Sequence, residues 1–247
     1  MSLRKWLCLA LVASLAGWAN YPLAHAAGQE KAVAPEVQPK QVIPFAAMLF
    51  YEEARTLLKA GKRDEATAKL RRALQAFPDF LQARIDLAQE LLQRREFLEA
   101  TELIEGARRV NDRDPRVYRL FGLIMLEQGK LKMAEFGFRQ ALERDPSFAQ
   151  TYQAHGAALT DLALSKDTPP DARANWLTQA EQQLRKSLEM SEGKLAFSHL
   201  HLARVYETRG EKLKAADELE SFLLKNPRAA NEKTLREAIT RLRQSEK

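Results

Sequence analysis

PRVYRLFGLIMLEQGKLKMAEFGFRQALERDPSF, residues 115–148, contains two stripes of apolar residues with the spacing of one face of an α-helix. The first stripe comprises Tyr118, Phe121, Gly122 and Met125, and the second comprises Met133, Ala134, Gly137, Phe138 and Ala141. Gly129 lies between the stripes and suits the left-handed turn that follows a helix. Pro146 ends the second stripe because proline cannot continue a helix. The segment therefore predicts two helices joined by a short turn.

The same pattern returns along the chain with a period of 34 residues. One position is occupied by Ala66, Ala100 and Ala134, and another, seven residues later, by Ala73, Ala107 and Ala141. The pairs Gly61 and Gly129, and Pro78 and Pro146, are separated by twice this period. A fixed period of about 34 residues is typical of a solenoid of stacked helix–turn–helix units, so the predicted fold class is all-α.

These positions resemble the tetratricopeptide repeat (TPR) family. The first unit matches its pattern at Phe50, Ala54, Leu57, Gly61, Ala66, Leu70, Ala73 and Pro78. The unit 115–148 matches at nearly every position, whereas the unit 81–114 has Arg95 in place of the turn glycine. The resemblance implies a right-handed superhelical solenoid with repeats at about 47–80, 81–114, 115–148, 149–195 and 196–229.

The fourth repeat is longer than the others. Gly129 and Gly210 are 81 residues apart, which is twice 34 plus 13, so we expect a 13-residue insertion within 149–195. Thr168, followed by Pro169 and Asp171, has the pattern of a capping box at the start of a helix that runs to about Met190. We expect two elongated helices that project as a hairpin. Trp176 either packs the two extensions together or contacts a partner.

The two ends of the chain differ from the repeats. Residues 1–26 have two basic residues, a short apolar core and Ala24-His25-Ala26, as in a secretory signal peptide cleaved after Ala26. Residues 27–43 are predicted to be a flexible leader rich in Pro, Ala and Gln, ahead of a solenoid that spans 44–247. An apolar stripe within 231–244 predicts a capping helix that covers the last open face. These features predict an exported, periplasmic protein without an integral membrane span after cleavage, although retention of the signal as an anchor stays open.

The charge balance is modestly basic. The formal net charge is +6, and removal of residues 1–26 would leave 37 basic and 33 acidic residues. Several arginines cluster near the junction of the second and third repeats, and acidic residues interrupt them: Arg108, Arg109, Arg113, Arg116 and Arg119. This cluster is either a solvated ion-pair region or a docking patch for an acidic protein or an anionic envelope polymer. A nucleic-acid partner is not expected, because no basic motif interleaved with aromatic residues is present.

Catalytic and metal-binding patterns are not found in the sequence. It has no phosphate-binding glycine loop and no Gly-x-Ser-x-Gly elbow, and its one cysteine, Cys8, lies within the predicted signal peptide. His199 and His201 are two residues apart, so on a helix they point in different directions and cannot share a metal ion. We therefore expect a protein without enzymatic activity, cofactor or metal, in which His155, His199 and His201 have structural roles.

In the TPR family, partners bind the inner, concave surface, which the first helix of each repeat lines. The resemblance transfers this role to Tyr51, Arg55, Gln82, Ile85, Gln89, Arg116, Arg119 and Gln153. It implies an apolar entrance near Tyr51 and Ile85, followed by a channel rich in Arg and Gln. An ordinary solvated groove is the alternative. The lysine/asparagine clamp with which some members hold the C-terminus of chaperones is not reproduced at these positions.

The sequence as a whole predicts a non-enzymatic interaction scaffold or assembly factor in the bacterial cell envelope, which binds a partner peptide or protein in the concave groove. Two alternatives remain at this stage. One is a periplasmic holding chaperone for secreted or outer-membrane proteins. The other is an accessory subunit of an envelope secretion or polysaccharide-export machine. No residue pattern identifies the partner or the oligomeric state.

Overall fold

The computed structural model describes residues 42–227, 229 and 231–244, and every regular element within these ranges is an α-helix. The all-α prediction is therefore confirmed. The predicted signal peptide, 1–26, lies outside the described residues, as does the predicted leader except for its last two residues. The helices are α1 (Phe45–Lys59), α2 (Arg63–Ala76), α3 (Leu81–Gln93), α4 (Phe97–Val110), α5 (Pro115–Glu127), α6 (Leu131–Arg144), α7 (Ala149–Leu164), α8 (Pro170–Met190), α9 (Phe197–Arg209), α10 (Lys212–Lys225) and α11 (Glu232–Gln244).

Consecutive helices pack in pairs, from α1 with α2 to α9 with α10, and the second helix of each pair also contacts the first helix of the next. This is the stacking that the repeat period predicts. At the C-terminal end, α11 packs on α10 through three buried side chains, Leu235, Ile239 and Leu242. The helix thus covers the apolar face of the last pair, as a capping helix does.

The turn inside the repeats uses a left-handed residue in four of the five pairs. Gly61, Gly129 and Gly210 have φ angles of 74°, 70° and 79°, a region that glycine enters without steric cost. Arg95 occupies the same place in the second pair with φ 62°. The turn geometry is therefore kept where the glycine is missing, at a cost of about 1–2 kcal/mol for a residue that has a β-carbon.

The third pair is closed by a contact between two glycines. A Cβ atom added to Gly137 would lie 2.8 Å from both the Cα and the nitrogen of Gly122, and one added to Gly122 would lie 2.8 Å from the Phe138 ring. The backbones of α5 and α6 are thus in direct contact. Ala134, on the same buried stripe of α6 as Gly137, is fully buried.

The fourth pair has the longest helices, with 16 residues in α7 and 21 in α8. Thr168 does not cap α8: its hydroxyl donates a 2.6 Å hydrogen bond back to the Leu162 carbonyl, and Pro169 is the N-cap residue. The capping-box prediction was therefore wrong. Pro170 disfavours a helical conformation at the residue before it, so Pro169 is extended, with ψ 150°, and the helix begins at Pro170. Arg173 Nε also donates to the Ala163 carbonyl at 3.0 Å. These two bonds tie the start of α8 to the end of α7. Trp176 is partly buried against the core, which favours its packing role.

A charged cluster on α8 joins this helix to α9. Glu181 accepts hydrogen bonds from Tyr206 Oη at 2.6 Å, Arg209 Nη1 at 2.5 Å and Arg185 Nε at 3.1 Å. Burial by itself raises the pKa of this carboxyl, but the three donors outweigh burial and lower the pKa to about 2. The ionised form of Glu181 is therefore favoured by the folded state.

We expect the stability that Glu181 contributes to be present at neutral pH and to be lost as the pH falls from about 4.5 toward 2, because the unfolded carboxyl takes up its proton first. In urea denaturation, the difference in free energy of unfolding between the wild type and Glu181→Gln should become smaller as the pH falls from 5 to 3. Glu189→Gln is the control. The Glu189 side chain is 71% exposed, so its ion pair with Lys186 should contribute little to stability at any pH. If the difference in free energy of unfolding between the wild type and Glu181→Gln stayed constant over this range, the folded state would not favour the ionised form of Glu181.

Candidate partner-binding groove

The first helices of the pairs form one face of the solenoid. Direct contacts join α3 to α5, α5 to α7 and α7 to α9, whereas contacts among the second helices are sparse or absent in the described residues. Because the first helices lie closer together than the second helices, the stack of helix pairs curves so that the first helices line its inner face. We use "groove" for the accessible side chains of α1, α3, α5 and α7 on this inner face.

A network of polar side chains crosses the groove from α1 to α5. Tyr51 Oη donates to Asp86 Oδ2 at 2.8 Å, and Gln82 Nε2 donates to Asp86 Oδ1 at 3.0 Å. Arg116 Nη1 donates to Gln82 Oε1 at 2.5 Å, and Arg116 Nη2 to Asp114 Oδ2 at 2.6 Å. Burial, and then the hydrogen bond to Asp86, raise the pKa of Tyr51. These five residues, the polar network, hold one another in place across three repeats.

Arg116 owes its position to the local sequence at the start of α5. Asp114 is the N-cap residue and accepts from the Arg116 backbone N–H at 2.9 Å, and Pro115 occupies the first helical position. The Asp114 side chain is only 8% exposed, so its charge depends on the Arg116 guanidinium. Arg116 is thus half-buried and ion-paired rather than freely exposed.

Arg119 lies one turn further along α5, and its situation is different. The side chain is half-buried, yet it has no hydrogen bond, ion pair or ring contact within the part of the chain that the structure describes. Desolvation lowers the pKa of its guanidinium, and the charge of Arg116 lowers it further, while Asp114 partly offsets both. Pro115, Phe148 and Thr151 line the same spot. Among the described residues, no side chain pairs with the positive charge of Arg119.

The predicted groove positions also differ in exposure and in the helices that they contact. Arg55 and Gln89 are exposed in the groove, where Arg55 forms an exposed pair with Glu52 at 3.1 Å. Ile85 is 4% exposed and Tyr51 7%, so both belong to the core and offer little apolar surface to a ligand. Gln153 donates to Ser198 Oγ at 3.1 Å and so joins α7 to α9, away from the polar network.

Sequence reasoning missed three residues that shape the groove: Asp86, Asp114 and Phe148. Asp114 had a readable signal, since an Asp before Pro115 is a common helix start. Asp86 follows Gln82 by four residues, which places the two on one helix face. Phe148 had no such signal; its 47% exposure beside Arg119 follows from the fold.

Two of the three histidines of the described chain lie close to a carboxylate on a neighbouring helix. His155 is buried with its Nε2 3.7 Å from Glu135 Oε1, and His199 Nδ1 lies 2.6 Å from Glu218 Oε2. Burial, followed by the charge of Arg204, lowers the pKa of His201. Among the residues that the structure describes, no group of three or more His, Cys, Asp or Glu side chains is arranged to hold a metal ion. Within the same residues, none of the helices combines the length and apolar character needed to cross a membrane.

Comparison with known proteins supports the resemblance seen in the sequence. Residues 57–124 match the family model of the tetratricopeptide repeat. No curated protein sequence matches the chain. The match covers the last three residues of α1, the whole of α2, α3 and α4, and most of α5. It therefore includes Arg119 and every member of the polar network except Tyr51.

Several solved structures have the same fold. YrrB, described as a TPR protein with an unusual peptide-binding site, is 16% identical, with a TM-score of 0.59 over 77% of this chain and 92% of its own. PilF of Pseudomonas aeruginosa is 18% identical, with a TM-score of 0.61 over 80% of this chain and 88% of the PilF chain. MamA of Desulfovibrio magneticus is 14% identical, with a TM-score of 0.61 over 76% of this chain and 99% of the MamA chain. At such identities the likeness shows the fold alone, which is the TPR superhelix that the sequence predicted.

Proposed function

We propose that this TPR solenoid is a non-enzymatic scaffold or assembly factor that binds a partner peptide or protein in its groove. The observation that carries the proposal is the polar network together with Arg119, which forms no ion pair with any described residue. Side chains held in place before binding lose less conformational freedom when a ligand arrives, so the groove is preorganised. The peptide-binding site in the description of YrrB, which shares the fold, agrees with this use of a TPR surface.

The cellular setting is part of the same proposal. The apolar core and Ala24-His25-Ala26 within residues 1–26 support export and cleavage after Ala26, which would place the mature chain in the periplasm of a bacterium. The partner would then be an envelope protein. The arginines outside the groove, such as Arg109 and Arg113, add a surface for anionic envelope polymers.

Site-specific photo-crosslinking tests the groove as the binding surface. A benzoylphenylalanine at Gln89, exposed on α3, should crosslink a partner in envelope extract. The matched control is the same residue at Glu102, exposed on α4 in the same repeat but on the outer layer. Crosslinks from Glu102 alone would contradict the proposal.

The pattern of crosslinked products distinguishes the functional classes. A scaffold or assembly factor should give one partner band of fixed stoichiometry from Gln89. Many bands, together with suppressed aggregation of unrelated unfolded proteins, would instead identify a holding chaperone. Recovery of several subunits of one secretion or polysaccharide-export complex would identify an accessory subunit.

A further inference from the structure

Arg119 and Arg116 lie one turn apart on α5, but only one of the two charges is neutralised. The guanidinium of Arg116 meets both oxygens of Asp114, with nitrogen–oxygen distances between 2.6 and 3.2 Å. Asp145, which lines the spot next to Arg119, uses its Oδ1 to accept from the Ser147 backbone N–H at 2.9 Å and forms no ion pair with Arg119. Among the described residues, Asp114 therefore acts on Arg119 only through its charge, and no carboxylate forms an ion pair with Arg119.

The surroundings of Arg119 favour an anionic planar group. A guanidinium presents donors in a fixed fork that matches the two oxygens of a carboxylate. Because Arg119 is already half-desolvated by the protein, a ligand carboxylate would restore the missing electrostatic partner rather than compete with one. The Phe148 ring, 47% exposed at the same spot, offers an apolar surface for the methylene groups next to such a carboxylate.

We propose that Arg119 binds the side-chain carboxylate of an Asp or Glu within an extended, acidic segment of the partner that lies along the groove. This inference rests on the proposed function, since it assumes that the groove is the binding surface. A side chain is favoured over a chain terminus because accessible groove residues continue on both sides of Arg119, with Gln89 on α3 and Gln150 on α7. Nothing in this stretch marks the end of a bound chain.

The test uses a displayed library of random ten-residue peptides, selected for binding to the whole chain. Selected peptides should be enriched in Asp or Glu at one position. The best peptide, made synthetically, should bind Arg119→Gln about tenfold more weakly or worse, because a hydrogen-bonded charge pair is lost. Arg113→Gln removes the same charge from an exposed loop residue and should change the dissociation constant far less. Changing the acidic residue of the peptide to its amide should cause the same loss as Arg119→Gln, with no further loss when both changes are combined.

The outcomes separate this inference from the proposed function. The variant Gln89→Trp, which fills the exposed groove, should block the peptide. Peptides blocked by Gln89→Trp but indifferent to Arg119→Gln would overturn the inference and leave the function standing. Peptides indifferent to both variants, or a library that yields no binder, would count against the groove itself. A peptide that is weakened by Arg119→Gln and by amidation of its C-terminus, but by no change of an acidic side chain, would show that Arg119 recognises a chain end, and would also overturn the inference. Far-ultraviolet circular dichroism of each variant confirms that the fold is retained.

Discussion

Ala134→Arg is expected to lower the free energy of unfolding by at least about 3 kcal/mol. Overpacking a well-filled core costs about 1–3 kcal/mol, and a buried guanidinium without a partner adds the penalty of an unpaired charge. Ala134 is fully buried in the third pair, where the α5 and α6 backbones are in contact at Gly122 and Gly137. The interface therefore has no room for a longer side chain. Urea denaturation followed by circular dichroism measures the change.

The matched control is Ala174→Arg, which makes the same substitution at an exposed position of α8. Its free energy of unfolding should lie within about 0.5 kcal/mol of the wild type, as for most surface substitutions. If Ala134→Arg were as stable as Ala174→Arg, the register of the third repeat would be incorrect, and the groove positions derived from that register would be incorrect with it.

Arg116→Glu is expected to destabilise the protein by about 2 kcal/mol or more, much more than an ordinary surface charge reversal. Asp114 is 8% exposed and would then face a second carboxylate in place of the guanidinium that now binds it at 2.6 Å. Gln82 would also lose its hydrogen bond from Arg116. Partial exposure of Arg116, at 39%, keeps the expected cost below that of a fully buried pair.

Arg119→Gln is the natural comparison for this prediction. It lies one turn away on the same helix and removes a guanidinium that has no partner in the described chain. Its free energy of unfolding should equal that of the wild type or slightly exceed it, since a half-desolvated charge is removed. Equal stability of Arg116→Glu and wild type would mean that the polar network contributes nothing to the fold.

Much of the fold could be predicted from the sequence because the period of 34 residues repeats at buried positions. Gly61, Gly129 and Gly210 mark the turns by residue type alone. Arg95 shows why one weak match does not break the pattern: packing of the neighbouring helices imposes the left-handed conformation on a residue that disfavours it. Local preference at one position is small compared with the stacking of whole repeats.

The site was harder to predict because its character depends on contacts between repeats. Arg116 and Arg119 look equivalent in sequence. Only the distances to Asp114 and Gln82 show that Arg116 belongs to an ion pair, whereas Arg119 has none within the part of the chain that the structure describes. Ile85 occupies a position that lines the groove in the family, yet it is buried here. Helical periodicity gives the face on which a side chain lies, but not its hydrogen-bond partner or its final exposure.

The most direct test of the account is protection of the groove by the bound partner. Cys8 is the one cysteine of the sequence, so in a Cys8→Ser background the changes Gln89→Cys and Glu102→Cys each provide a unique thiol. Both positions are exposed in the second repeat, one in the groove and the other on the outer layer. The partner identified by crosslinking is purified and added at a saturating concentration. It should slow the rate of maleimide labelling severalfold at Gln89→Cys and leave the rate at Glu102→Cys unchanged. Unchanged labelling at Gln89→Cys together with slowed labelling at Glu102→Cys would contradict the account.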